Sequence, residues 1–131
     1  MPKVIEATIG KDHYKTIVSN GRMEFPADEP LVSGGMDTGF SPSELLYSAL
    51  ATCTCITLRM YADRKQWPLE SIKVILSQEK ESAEADGILL DQEIILTGAL
   101  SEEQKARLLD ISKHCPVHQL LSHPIQVNNH L

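Results

Sequence analysis

The residues of this sequence best suited to chemistry are two cysteines, Cys53 within a long apolar run and Cys115 in His114-Cys115-Pro116-Val117-His118. Glu44 stands at the head of the run that holds Cys53. These three residues make a thiol site the leading functional reading. A thiol with an ordinary pKa of about 8.5 is only a few per cent thiolate at neutral pH, and burial lowers that fraction. Something must therefore favour the anion. The proline after Cys115 disfavours helical geometry at the cysteine and suits the first position of a new helix, predicted over Pro116–Leu121. Unpaired N–H groups and the positive end of the helix dipole would then lie beside the sulfur. Cys53, in mid-helix, needs a donor or cation supplied by the rest of the fold. Simple burial explains either cysteine taken alone equally well, because free cysteine is among the most buried residue types.

Other groups compete less well. Cys55 is two positions from Cys53, about 200° around a helix, so the two thiols face nearly opposite sides and cannot readily share a metal or a disulfide. Cys55 reads as core packing. Zinc could be imagined on Cys115, His114, His118 and a helix cysteine, but the spacing matches no familiar ligand run. Glu44 also fits a purely structural role as the third residue of a capping box opened by Ser41. It precedes Cys53 by nine residues, about 13 Å of helix, too far for direct contact along one straight helix.

The elements that must position these groups can be read locally. Val4–Ile9 and Tyr14–Val18 are rich in β-branched residues and flank the turn cluster Gly10-Lys11-Asp12. Asn20-Gly21 is a strong hairpin signal and leads into a third strand, Arg22–Phe25, with Pro26 and Pro30 expected to end regular pairing. The loop Leu31–Phe40 carries Gly34, Gly35 and Gly39, and reads equally as a close backbone approach to a site or as a flexible connector. Ser41-Pro42-Ser43-Glu44 marks the start of a helix expected to run Pro42–Lys65 and to stop before Pro68. Its middle, Leu45–Leu58, is apolar or small on every face, so the helix should be covered all round by sheet and by a second subunit. The charged residues that soon follow make it a poor membrane span.

Beyond Pro68 the pattern alternates, with Ile72, Val74 and Leu76 on one face. A partner strand is expected over Ile88–Leu100, its buried part at Glu93–Leu96, in an antiparallel pair. Ser101-Glu102-Glu103-Gln104 opens an amphipathic helix reaching His114, and Ile125–Asn128 reads as a terminal strand. No internal repeat or linker divides the chain.

At 131 residues, a single domain covering 1–131 is expected. A net charge of −6 and a pI near 5.3, with no basic stripe, argue against a nucleic-acid partner. Met1–Glu6 lacks the apolar core of a signal peptide, which points to the cytoplasm, where three cysteines are expected to stay reduced.

Gly39-Phe40-Ser41-Pro42-Ser43-Glu44-Leu45-Leu46, with Ala49, Ala51 and Cys53 following and Cys115-Pro116-Val117 far downstream, resembles the OsmC/Ohr family of osmotically inducible and organic hydroperoxide resistance proteins. The resemblance implies an α+β fold, an intertwined homodimer with curved antiparallel sheets packed on long central helices. It implies a thiol peroxidase in which Cys53 attacks the peroxide and becomes a sulfenic acid, Cys115 resolves it as a disulfide, and an external dithiol restores the thiols. Glu44 would organise the pocket, and an arginine from the N-terminal strands would pair with the thiolate. Arg22 is the candidate for that role, although its setting departs from the family's arginine segment. Arg59, six residues after Cys53, should point away from it. Neither metal nor organic cofactor is implied, and no membrane or nucleic acid. The substrate would be an alkyl or lipid hydroperoxide, favoured over hydrogen peroxide by burial of its organic group. The alternative is a non-catalytic dimer of the same fold that binds a small apolar ligand.

Overall fold

The computed structural model describes residues 3–80 and 87–131, in two compact units, 1–47 and 48–131. The first unit is an antiparallel meander of β1 (Glu6–Ile9), β2 (Thr16–Ser19) and β3 (Glu24–Ala27), in the order β1-β2-β3. The β2–β3 hairpin turns at Asn20-Gly21: the Asn20 side chain accepts the N–H groups of Arg22 and Met23, and Gly21 takes the positive φ of 91° that the turn requires. Pro26 does not end pairing as expected. It lies within β3 opposite Ile17, and β3 is an edge strand, where a missing N–H can face away from the ladder.

The loop after β3 is tightly held. It contains one 3-10 turn, Leu31–Ser33, and returns along β3 through a parallel bridge from Ala27 to Phe40. A Cβ on Gly35 would come within 2.0 Å of the Glu29 carbonyl oxygen, and one on Gly39 within 2.1 Å of that of Pro26, so only glycine allows this return. Asp28, 2% exposed, fastens it from inside: its carboxylate accepts the N–H groups of Tyr14 (3.1 Å), Glu29 (2.7 Å) and Thr38 (3.2 Å) and the Thr38 hydroxyl. Those donors hold the carboxyl well below the usual carboxylate range, the Thr38 hydroxyl having the largest effect.

Helix α1 spans Pro42–Lys65, as its sequence predicts. Leu50, Thr54, Leu58 and Ala62 are its buried residues, a single stripe at four-residue spacing. The all-round cover expected for this helix is not supplied by one chain: Leu46, Ile56 and Met60 remain exposed. In the second unit the stripe meets a long antiparallel hairpin, β4 (Leu69–Lys80) with β5 (Leu89–Gly98), and helix α2 (Glu102–Ser112). Leu58, Ala62, Leu69 and Leu108 form the buried core, with Tyr61, Trp67, Ile72, Ile94, Leu96, Leu100 and Ile111 packed around it. Burial alternates along β5, so Ile94 and Leu96 face inward while Ile95 is exposed; only one face of this hairpin is covered. Thr54 ties α1 to β5, its hydroxyl lying 3.1 Å from both the Leu50 carbonyl and the Gln92 side chain. Gln78 and Glu79 belong to β4, and residues 81–86 lie outside the described residues.

Helix α3 spans Pro116–Leu121, as predicted. The terminal strand expected at Ile125–Asn128 does not form: the segment is exposed and pairs with no strand among the described residues.

Candidate functional site

The N-terminus of α3 is where the two cysteines meet. Cys115 is the N-cap of α3, in extended geometry, and Pro116 takes the first helical position, where its missing N–H costs nothing. The Cys115 sulfur accepts the His118 N–H at 3.3 Å, and the Cys53 side chain from α1 lies beside it. Cys115 is fully buried and Cys53 half-buried. Burial pushes the Cys115 thiol up from its ordinary pKa, the contact with Cys53 adds to the rise, and the N–H groups of His118 and Val117 oppose it. Cys115 is therefore held toward its thiol form. Two sulfurs in such contact also disfavour double ionisation, because like charges repel strongly in a low-dielectric setting.

Cys53 opens on a cleft of about 530 Å³ lined also by Ser48, Ala49, Thr52, Ile56, Thr57, Met60 and Pro116. None of these lining residues is charged. A few hydroxyls among apolar side chains suit a small organic molecule whose polar end lies at the sulfur.

The other predicted residues are placed separately. Glu44 closes the capping box of α1, its side chain accepting the Ser41 N–H at 2.9 Å while the Ser41 hydroxyl accepts the Glu44 N–H at 3.3 Å. The Ser41 N–H lowers the Glu44 carboxyl pKa. Arg22 lies in the β2–β3 turn, exposed. Arg59 is committed elsewhere, its guanidinium donating to Asp63 at 2.7 Å and to the Leu69 carbonyl at 2.7 Å. Cys55 faces the opposite side of α1 from Cys53, its thiol 4.0 Å from the Ile72 carbonyl, and burial raises its pKa. Among the described residues no three of His, Cys, Asp or Glu converge to hold a metal ion, so the imagined zinc arrangement is not formed. Sequence reasoning weighed His118 only as a metal ligand. Its place three residues after an N-cap was the signal that could have drawn closer notice.

Against this geometry stand the relationships to known proteins. A family model described as OsmC-like protein matches residues 35–129. The chain belongs to that OsmC-like family. Solved structures share the fold: an OsmC-like protein from Mycoplasma pneumoniae (TM-score 0.78, 20% identity, 93% of this chain and 88% of that one), and an organic hydroperoxide resistance protein OsmC from Legionella pneumophila (0.67, 18%, 92% and 89%). The organic hydroperoxide resistance protein OhrB of Bacillus subtilis matches at TM-score 0.60 and 18% identity over 92% of this chain and 90% of its own. No curated protein matches the sequence. The family's mixed architecture, antiparallel sheets with a long helix, is the one expected from the OsmC-like residues.

Proposed function

We propose that this OsmC-like chain is a thiol-dependent peroxidase that reduces organic hydroperoxides. The observation that carries the reading is the contact between the Cys53 and Cys115 thiols at the edge of an uncharged, largely apolar cleft. Cys53 attacks as thiolate: its sulfur bonds to the distal oxygen of the hydroperoxide, the O–O bond breaks, and the alkoxide leaves as alcohol after taking a proton. The product is a Cys53 sulfenic acid. Cys115 then forms the disulfide as water departs, and an external dithiol reduces it by exchange. An organic substituent buried in the cleft gains roughly 0.8 kcal/mol per CH₂, which favours alkyl over hydrogen peroxide.

In this reading Glu44 helps to organise the peroxide pocket across a subunit boundary, and Arg22 is the candidate cation for the Cys53 thiolate. The protein acts as one domain within a homodimer in the cytoplasm. In support of a dimer, α1 leaves Leu46, Ile56 and Met60 exposed at 49%, 49% and 64%, an apolar surface that a second copy would cover. The helix is long and apolar enough to cross a membrane, but its buried stripe packs on its own hairpin and α2, as in the core helix of a soluble fold.

A second reading is favoured by one observation, the absence of a charged group from the lining of the cleft. A non-catalytic dimer would use the same cleft for a small apolar ligand. The test is consumption of cumene hydroperoxide and hydrogen peroxide by the reduced protein and by Cys53→Ser, with a dithiol as electron donor. The peroxidase reading expects rapid loss of the organic peroxide with the native chain only; equal and negligible rates in both would leave the binding reading.

A further inference from the structure

The same three-residue spacing opens the three α-helices among the described residues. In α1 and α2 a serine hydroxyl at the N-cap accepts the N–H of the residue three positions on, Glu44 at 3.3 Å and Gln104 at 3.1 Å. The side chain of that residue returns to accept the serine N–H, at 2.9 Å in both helices. In α3 a thiol replaces the hydroxyl: Cys115 Sγ accepts the His118 N–H at 3.3 Å, and His118 stands where Glu44 and Gln104 stand. The reciprocal bond is missing. His118 Nδ1 is buried and has no hydrogen-bond partner among the described residues. Native chains keep few buried polar atoms in that condition, and each calls for an explanation.

We propose that His118 takes the proton from Cys115 when that thiol closes a disulfide with Cys53, so that α3 opens with a capping box adapted to carry a proton. The His118 N–H already meets the Cys115 sulfur at 3.3 Å, so the imidazole of that same residue starts from the first turn of α3 beside the thiol. Cys115 is 0% exposed, so bulk water does not serve as its base. The residues lining the cleft beside Cys53 include no carboxylate, amine or imidazole. Cys53 on α1 is the titratable group that acts on Cys115; His114, just before the N-cap, and His123, beyond α3, are exposed, and the His123 ring bonds the Gln119 carbonyl.

The step balances without a new reactant. The Cys115 proton passes to the imidazole, the sulfur–sulfur bond forms as the S–O bond of the Cys53 sulfenic acid breaks, and the departing hydroxide takes the proton back and leaves as water. The sulfenic acid is the oxidant and Cys115 the group oxidised. This inference rests on the peroxidase reading for the source of the sulfenic acid.

The deciding variant is His118→Gln, which installs in α3 the box that Gln104 completes in α2. Reduced protein is mixed with one equivalent of cumene hydroperoxide and sampled over time, with dimedone trapping of sulfenic acid and intact mass for the disulfide. Sulfenic acid should form as in the native chain, while disulfide closure slows by about 10²-fold. The native closure rate should show an inflection where imidazoles titrate, and the variant's rate should instead climb about tenfold per pH unit with the thiolate fraction. Closure in His118→Gln at the native rate, or a native profile without that inflection, overturns the proposal; the second outcome is read on the native chain even if the variant fails to fold. If the native chain forms no sulfenic acid, the peroxidase reading fails. Closure driven by oxidised dithiothreitol then tests His118 separately, because that exchange also needs the Cys115 proton removed.

Discussion

The Asp28 carboxylate and the Cys115 thiol are both shut away from solvent, 2% and 0% exposed, but one is surrounded by hydrogen-bond donors and the other is not. Asp28 receives three backbone N–H groups and a hydroxyl, which stabilise its charge and leave it nothing further to do. Cys115 has the His118 N–H at 3.3 Å and the Val117 N–H beside it, lies next to a second thiol, and is followed three residues on by an imidazole with an unpartnered nitrogen. A buried polar centre with its bonds complete fixes a shape, whereas one left short of bonds keeps the capacity to change its protonation or its covalent partner. The first describes the loop of the N-terminal unit and the second the start of α3.

The largest break in that comparison comes from the thiols. Cys53→Ser should lower organic hydroperoxide consumption at least about a thousandfold, since loss of a nucleophile removes the chemical step itself. Cys115→Ser should behave differently, with sulfenic acid forming on Cys53 and persisting, no intramolecular disulfide, and only the later stage of turnover impaired. Dimedone labelling and intact mass after one equivalent of peroxide separate the two outcomes. Identical behaviour of both variants would show that the contact between the sulfurs is packing alone.

How much of this was visible in the sequence depended on how local each signal was. The ends of α1 were legible because a capping box, an N1 proline and a terminating Pro68 lie within a few residues of the helix itself. The start of α3 was legible for the same reason, in Cys115-Pro116. Strand pairing was less so. Whether Pro26 could sit in a strand depended on β3 being at a sheet edge, and whether Ile125–Asn128 became a strand depended on a partner that the sequence around it does not specify. The contact between Cys53 and Cys115 is a product of long-range packing, and the roles of both came from the OsmC-like resemblance, not from spacing. Asp28 went unnoticed because its donors on Tyr14 and Thr38 are fourteen residues before it and ten after it.

The completed centre should fail through stability and not through chemistry. Gly35→Ala forces a Cβ against the Glu29 carbonyl and beside the Asp28 carboxylate, and should cost about 1–3 kcal/mol in chemical denaturation while leaving the rate per folded molecule unchanged. Asp28 gives a smaller effect with a distinct pH signature. Its folded-state pKa is depressed, so its bonds add stability above about pH 4, and that stability is lost as pH falls from there toward the folded value. Thermal denaturation of Asp28→Asn should lie below the native chain at neutral pH and converge with it in acid. A constant gap between the two curves would mean that the carboxylate's charge is not what holds the loop.

The smallest effect is expected where a thiol has the wrong neighbours. Cys55 shares α1 with Cys53 but faces β4, in a cleft with Arg59, Glu70 and Ile72, and its sulfur meets the Ile72 carbonyl and the Val74 N–H instead of a second thiol. Burial raises its pKa, so it is both poorly ionised and without a resolving partner. Cys55→Ser should therefore alter peroxide turnover by less than about twofold and stability by no more than about 1 kcal/mol. Alkylation followed by peptide mass analysis should label Cys53 before Cys55. Should Cys55→Ser instead depress turnover as far as Cys53→Ser does, position on the helix face would not be what separates these thiols, and the assignment of chemistry to the side that meets α3 would fall.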